Sequence, residues 1–354
     1  MNREQLAKCL RLGRPVHQQD LAGLDLSGLE LGNALFSQCD MRGVKLDGCK
    51  LAHAAVVECD LRGAQLGAAS LDAATFSNTC LAGWDLSGRT LQQVSFNACD
   101  LRASHWQGAT FNTGFWAQCD LGGAQLQGMR LERVVALQSR LDGADLSGAV
   151  LEQCAFTEMD FRTVRLDGWQ CDTVVMIKAN LAGQDLAGCR LRRCTLQEAD
   201  LSDTDLRGAD LSQANCLKVT LHRSRANGLR ASQALFMQAD IQDCDLRQAE
   251  LHSTVFKQAV VVRSRLGGIK ADTSHWVQAS LSEVDLRDAD LRHADFSHAR
   301  LDHCDFEGAD LAQGNFHAAE CASVSFKGVD RRTLGATDLA RQQAESRTLA
   351  MECR

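Results

Sequence analysis

Ala199-Asp200-Leu201-Ser202-Asp203, Gly208-Ala209-Asp210-Leu211-Ser212 and Ala309-Asp310-Leu311-Ala312-Gln313 share one rhythm, in which Ala and Leu stand two apart with Asp between them. Followed outward, the leucine register runs from Leu21 to Phe326 as 62 consecutive five-residue units without an insertion. Leu fills most of these positions, as at Leu26, Leu46 and Leu61; Phe, Met, Trp, Val, Cys, Ile or Ala fills the rest. A helix needs apolar residues at spacings of three and four, and a flat strand needs strict alternation. An apolar pair two apart that recurs every five residues fits neither. It fits a chain that makes a short extended segment, turns a corner and repeats.

The units at Ala199, Ala209 and Ala309 resemble the Ala-(Asp/Asn)-Leu-x-x unit of the pentapeptide-repeat family, and the likeness covers about residues 19–330. The resemblance implies an all-β fold: a right-handed, quadrilateral β-helix with the central residue and the one two before it facing inward. Four sides also follow from the residues. The column from Phe36 through Phe76, Trp116, Phe236 and Trp276 to Phe316 is spaced by twenty and is aromatic at ten of fifteen places, and the other three columns are mostly Leu. A second column, from Gly28 to Gly328, is Gly at thirteen of sixteen places, which predicts a corner with positive φ. At four units per coil the register makes about 15 coils. With stacked strands about 4.8 Å apart, these predict a rod of roughly 74 Å.

Composition agrees with a solenoid, which grows in one dimension and needs no division into globular domains. The single Pro, Pro15, precedes the repeats, and all five Trp fall at inward positions. Of the sixteen Cys, ten occupy the inward small position and three (Cys171, Cys216, Cys321) the central one, so they read as small buried hydrophobes. No CxxC occurs, and no metal or cofactor is expected. Unpaired thiols, no apolar secretory segment and no membrane-spanning run point to the cytoplasm, with export by a signal-independent route still compatible. Residues 1–18 are expected to form a helical cap opened by a capping box at Asn2–Gln5, 19–330 the β-helix, and 331–354 a helical tail or cap containing Leu339, Leu349 and Met351.

Catalytic residues are not expected. Ser232, His252 and Asp272 stand twenty apart in the order of a hydrolase triad, but a ladder face offers neither a substrate pocket nor oxyanion donors. His293, His298 and His303 are five apart and so belong to three different corners.

Binding is the more informative question. The family resemblance implies one answer, mimicry of duplex DNA by proteins that inhibit or protect DNA gyrase. Duplex DNA carries a charge every ~1.7 Å, so a rod of about 74 Å would need on the order of 44 negative charges. The chain has a net charge of −7. All of that excess lies in residues 281–320, where Asp285, Asp290, Asp305, Glu307 and Asp310 are the candidate acidic surface of this alternative. The side with the aromatic core is different. Its outward positions include Phe115, Val135, Leu137, Val175, Ile177, Leu217, Leu235, Met237, Val255 and Val277, and across all its flanking positions only Lys257 and Asp295 are charged Lys, Arg, Asp or Glu. From Phe115 to Val277 the stripe crosses about eight coils, roughly 39 Å at the strand spacing, at or above the apolar patch a monomer normally exposes. These residues are the candidate partner-binding set. The expected function is a non-catalytic protein–protein interaction scaffold, with a protein partner or a second copy on this side, no membrane and no nucleic acid. The opening segment up to Leu35 is similar to the start of pentapeptide-repeat modules associated with bacterial type VI secretion.

Overall fold

The computed structural model describes residues 1–335, 337–340 and 342. The protein is a parallel β-solenoid of about 15 turns, in which residue i pairs with residue i+20 so that four pentapeptides complete each coil. The chain divides into two compact units, Met1–Asn180 and Leu181–Arg354.

The first unit opens with α1, Arg3–Arg11. Asn2 Oδ1 accepts from Gln5 N at 2.9 Å and Gln5 Oε1 accepts from Asn2 N at 3.0 Å, which satisfies two of the helix's orphan donors. The helix buries Leu6 and is tied to the first coil by Arg3, which donates to the carbonyl of Ser27 at 2.7 Å. Extended strands then stack on two of the four sides. One series runs Val16–His17, Leu35–Ser37, Ala55–Val57, Thr75–Ser77, Ser95–Asn97, Phe115–Ala117, Val135–Leu137 and Ala155–Thr157. The other includes Thr90–Gln92, Thr110–Asn112, Arg130–Glu132, Val150–Glu152 and Gln170–Asp172.

In the second unit the long sheet lies on a different side: Thr220–His222, Asp240–Gln242, Val260–Val262, Ser280–Ser282, Arg300–Asp302 and Glu320–Ala322. Its other columns are joined by single bridges, such as Leu235 with Val255. The expected tail over 331–354 falls largely outside the described residues, Leu349, Met351 and Cys353 among them.

The core is the inward register. In the first unit Phe76 and Phe96 stack at 5.3 Å, and Trp106 meets Trp116 edge-on at 5.6 Å. In the second, Phe236, Phe256, Trp276 and Phe296 form one continuous stack with centroid separations of 5.3, 4.0 and 5.7 Å. The indole N–H groups of Trp84, Trp106 and Trp276 find acceptors, as where Trp276 Nε1 donates to Ser274 Oγ at 2.8 Å, whereas those of Trp116 and Trp169 are buried without one among the described residues. At Gly114 the inward small position must be Gly, because a Cβ there would lie 2.0 Å from the Phe111 ring.

Two sequence expectations need correction. Positive φ is not confined to the glycine column: all four corners use it, for example at Gln38 (φ 54), Asp203 (φ 58) and His293 (φ 57) as well as Gly48 (φ 67). A left-handed L-residue costs about 1–2 kcal/mol. The stacked backbone imposes it regardless, because each corner N–H must reach the carbonyl of the next coil, as Gln38 N reaches Val57 O at 3.0 Å. The second correction is Cys321, expected inward and found exposed, since the described residues place no further coil on Glu320–Ala322.

Twelve other cysteines are buried, and burial pushes the thiols of Cys154, Cys244 and Cys304 up to about 11. Native alkylation mapped by mass spectrometry should therefore label Cys9, Cys80 and Cys321 among the described residues and spare the rest. Fast modification of Cys216 or Cys244 would show that the inward register is wrong.

Outside the core, Asp-x-Arg clamps recur. Asp245 caps its turn by accepting from Arg247 N, and Arg247 Nη2 and Nε bind the same carboxylate at 2.6 and 2.8 Å. These hydrogen bonds hold the carboxyls of Asp245 and, beside Arg42, Asp40 down at about 2. A carboxylate lowered by folding stabilises the native state above its unfolded pKa of about 4, and that contribution is lost as pH falls toward 2. The thermal midpoint should accordingly be flat from pH 7 to 5 and drop between about pH 4 and 2. In Arg247→Gln the acid-sensitive part should shrink, and an unchanged acid limb would refute the clamp's role.

Candidate protein-interaction face

In the first unit the outward side of the aromatic column is built from strand residues that alternate with the buried ring. Phe115 pairs with Val135, Leu137 lies between Ala117 and Thr157, and Val135 leads through Ala155 to Val175. Phe115, Val135, Val175 and Ile177 are half-buried, and Leu137 keeps 39% of its surface exposed. Ile177 accepts from Glu158 N through its backbone carbonyl at 2.8 Å, which leaves its side chain outward. Beside these residues Thr75, Ser77, Ser95 and Asn97 line a shallow hollow of ≈ 750 Å³ with Phe115 and Leu137.

The corresponding side of the second unit carries the other five predicted residues. Leu235 bridges Asn215 and Val255 and is 37% exposed; Leu217, Met237, Val255 and Val277 are half-buried. The charged exceptions are local. Lys257 points to solvent, and Asp295 is engaged by Ser297 N at 2.9 Å and by Asn315 Nδ2 at 3.0 Å.

Sequence reasoning missed the corners that flank these faces. In the first unit Gln18 donates to Gln38 at 2.9 Å and Gln38 to Glu58 at 2.7 Å. In the second, Gln238, Gln258 and Gln278 form a ladder at 2.9 and 3.1 Å, and Gln213 donates to Gln233 at 2.9 Å. Each amide both donates and accepts, so the ladder fixes long side chains in place. The signal was present as Gln recurring at a spacing of twenty. An apolar strip edged by polar corners, most of them uncharged, has the anatomy of a protein interface.

Basic side chains lie against each of the five candidate acids. Arg287 binds Asp285 at 2.7 Å and approaches Asp305 at 3.8 Å; Arg292 does the same for Asp290 (2.7 Å) and Asp310 (3.8 Å). Glu307 pairs with Lys327 at 2.5 Å. All five candidate acids are thus in ion pairs. Of the triad-like column, His252 Nδ1 is bonded to Asp272 Oδ1, but no hydrogen bond joins Ser232 to His252 among the described residues. His293, His298 and His303 occupy three successive corners. No group of side chains that could hold a metal ion occurs among the described residues, and no described helix is long and apolar enough to cross a membrane.

Family models agree with the repeat register. A model of pentapeptide repeats matches in eight copies over residues 20–54, 119–158, 138–168 and 176–213, and a pentapeptide repeat region matches residues 239–316. The protein belongs to the pentapeptide-repeat family. Among solved structures it is similar to HetL, a pentapeptide repeat protein involved in heterocyst differentiation regulation from the cyanobacterium Nostoc sp. strain PCC 7120, with 20% identity over 93% of this chain and 96% of that one and a TM-score of 0.17. It is also similar to full-length QnrB1, a plasmid-mediated fluoroquinolone resistance protein (17% identity, 66% of this chain and 98% of that one, TM-score 0.19). A pentapeptide repeat protein of the Arabidopsis thaliana thylakoid lumen matches with 23% identity over 31% of this chain and 69% of that one, at a TM-score of 0.21. No curated protein matches the chain.

Proposed function

We propose that this protein is a non-catalytic interaction module of a bacterial cytoplasm, and that its partner docks on the uncharged side of the solenoid. The observation that carries this is selective patterning. In each unit one side of four presents Val, Ile, Leu, Phe and Met outward, between polar corners, and the other sides present Asp, Arg, Glu and Lys at equivalent places. The β-propensity of these residues accounts for their suiting a strand but not for their choosing one side. A type VI secretion accessory is the finer assignment, resting on the opening segment up to Leu35. Neither a cofactor nor a metal enters this function. Affinity capture from the native cell, with wild type beside variants carrying charges on this side, tests it. Identical sets of captured proteins would refute it.

The gyrase-directed alternative would act through Asp285, Asp290, Asp305, Glu307 and Asp310. Their pairing with Arg287, Arg292 and Lys327 weakens it, because a DNA mimic needs carboxylates free to meet basic groups of the target. Purified protein titrated into a gyrase supercoiling assay is expected to have no effect. Inhibition or protection that weakens with salt, and weakens again in Asp305→Lys/Asp310→Lys, would reverse the ranking of the two functions.

A further inference from the structure

We infer that the occupant of the uncharged face in the first unit is a second copy of this chain, packed face to face about a two-fold axis. The inference rests on that face being an interaction surface, and two observations select a second copy over another partner. The first is charge. The eight rows from Leu35–Ser37 to Val175 and Ile177 carry no Asp, Glu, Lys or Arg on their outward positions. An isologous contact sets a surface against itself, so any strong single-sign field there would repel its own image. Here none exists on the outward positions, and at the rim an amide, both donor and acceptor, can meet its own kind, as Asn78 and Gln138 do in this contact.

The second observation is shape. In the middle of the same face, rows of small polar residues (Thr75, Ser77, Ser95, Asn97) give way to rows of bulky ones (Phe115, Val135, Leu137), the two sets meeting at the ≈ 750 Å³ hollow, and the rows before them carry Leu35 and Val57. The midpoint of the eight rows falls between Ser95 and Phe115. A two-fold axis lying in the contact plane there, along the strand direction, reverses the order of the rows. It brings Phe115 onto Ser95 of the partner subunit and Leu137 onto Ser77 of the partner subunit, so that bulk meets hollow twice. The remaining rows exchange in the same way, the row of Leu35 meeting that of Val175. At the rim this register brings Glu58 toward Glu158 of the partner subunit. Both are exposed and already engaged, Glu58 by Gln38 at 2.7 Å and Glu158 by Lys178 at 3.5 Å.

The area is sufficient. Eight rows at ~4.8 Å and about five residues of width at ~3.3 Å give on the order of 600 Å² per copy, hence roughly the 1,200 Å² at which specific interfaces begin.

Sedimentation of the full chain, with thermal melts alongside, tests the inference. Wild type should be a dimer at micromolar concentration. Leu137→Glu should weaken it about 30-fold or more, the size of a hot-spot loss, without lowering the melting temperature. Ser95→Phe and Phe115→Ser should each weaken the dimer, and the double swap should restore it, because the two positions face each other across the axis. A monomeric wild type would overturn the second copy as occupant; if Leu137→Glu then still abolished capture of a cellular protein, the broader interaction function would stand without it. A dimer that survives Leu137→Glu, or single swaps with no rescue in the double, would equally overturn the proposed contact.

Discussion

Phe256→Ala is expected to destabilise the protein by about 3–5 kcal/mol, the usual range for truncating a fully buried phenylalanine. Phe256 is 1% exposed and stacked between Phe236 at 5.3 Å and Trp276 at 4.0 Å. Removing the ring deletes contacts on both faces at once. The neighbours cannot close the gap, because their Cα positions are set by backbone bonds to the adjacent coils, as where Phe256 N reaches His275 O at 2.7 Å. Urea or thermal unfolding of the full chain should show the loss as a shifted midpoint. An unchanged midpoint would mean that residue 256 does not point inward, and with it the whole register would fail.

The other large effect is on binding. Ile177→Glu combined with Met237→Glu places one charge on the uncharged side of each unit. Both positions are half-buried and outward, so the inward register is untouched and stability should change by less than about 0.5 kcal/mol. Partner retention should fall by at least about 30-fold, since a carboxylate buried in an interface loses its water without gaining a counter-charge. Loss of partner together with loss of fold would instead assign both positions to packing.

The sequence reveals inward positions clearly, because every unit repeats the same demand for one bulky and one small apolar residue, and the aromatic stack from Phe236 to Phe296 is readable as a column. Corner geometry is less legible. The glycines at Gly28 and Gly48 announce positive φ, but Gln38 and His293 adopt it with no local signal, because the stacked coil rather than residue preference imposes it. Which sides become extended strands is not legible in the repeat register, and it differs between the two units. At the surface, outward apolar residues could be read directly from the register. The neutralisation of Asp285 and Asp290 could have been read from the arginine two residues on, a spacing that a count of net charge conceals.

The most direct measurement is hydroxyl-radical footprinting of the protein alone and in the complex recovered from its native cell. Met237 is half-buried, outward and readily oxidised, and Phe115 reports the same side in the first unit. Val260, 41% exposed on another side, serves as the internal reference. Docking on the uncharged side predicts protection of Met237 in the complex with Val260 modified as before. Undiminished oxidation of both Met237 and Phe115, with protection confined to Val260 or to the acidic stretch from Asp285 to Asp310, would contradict it.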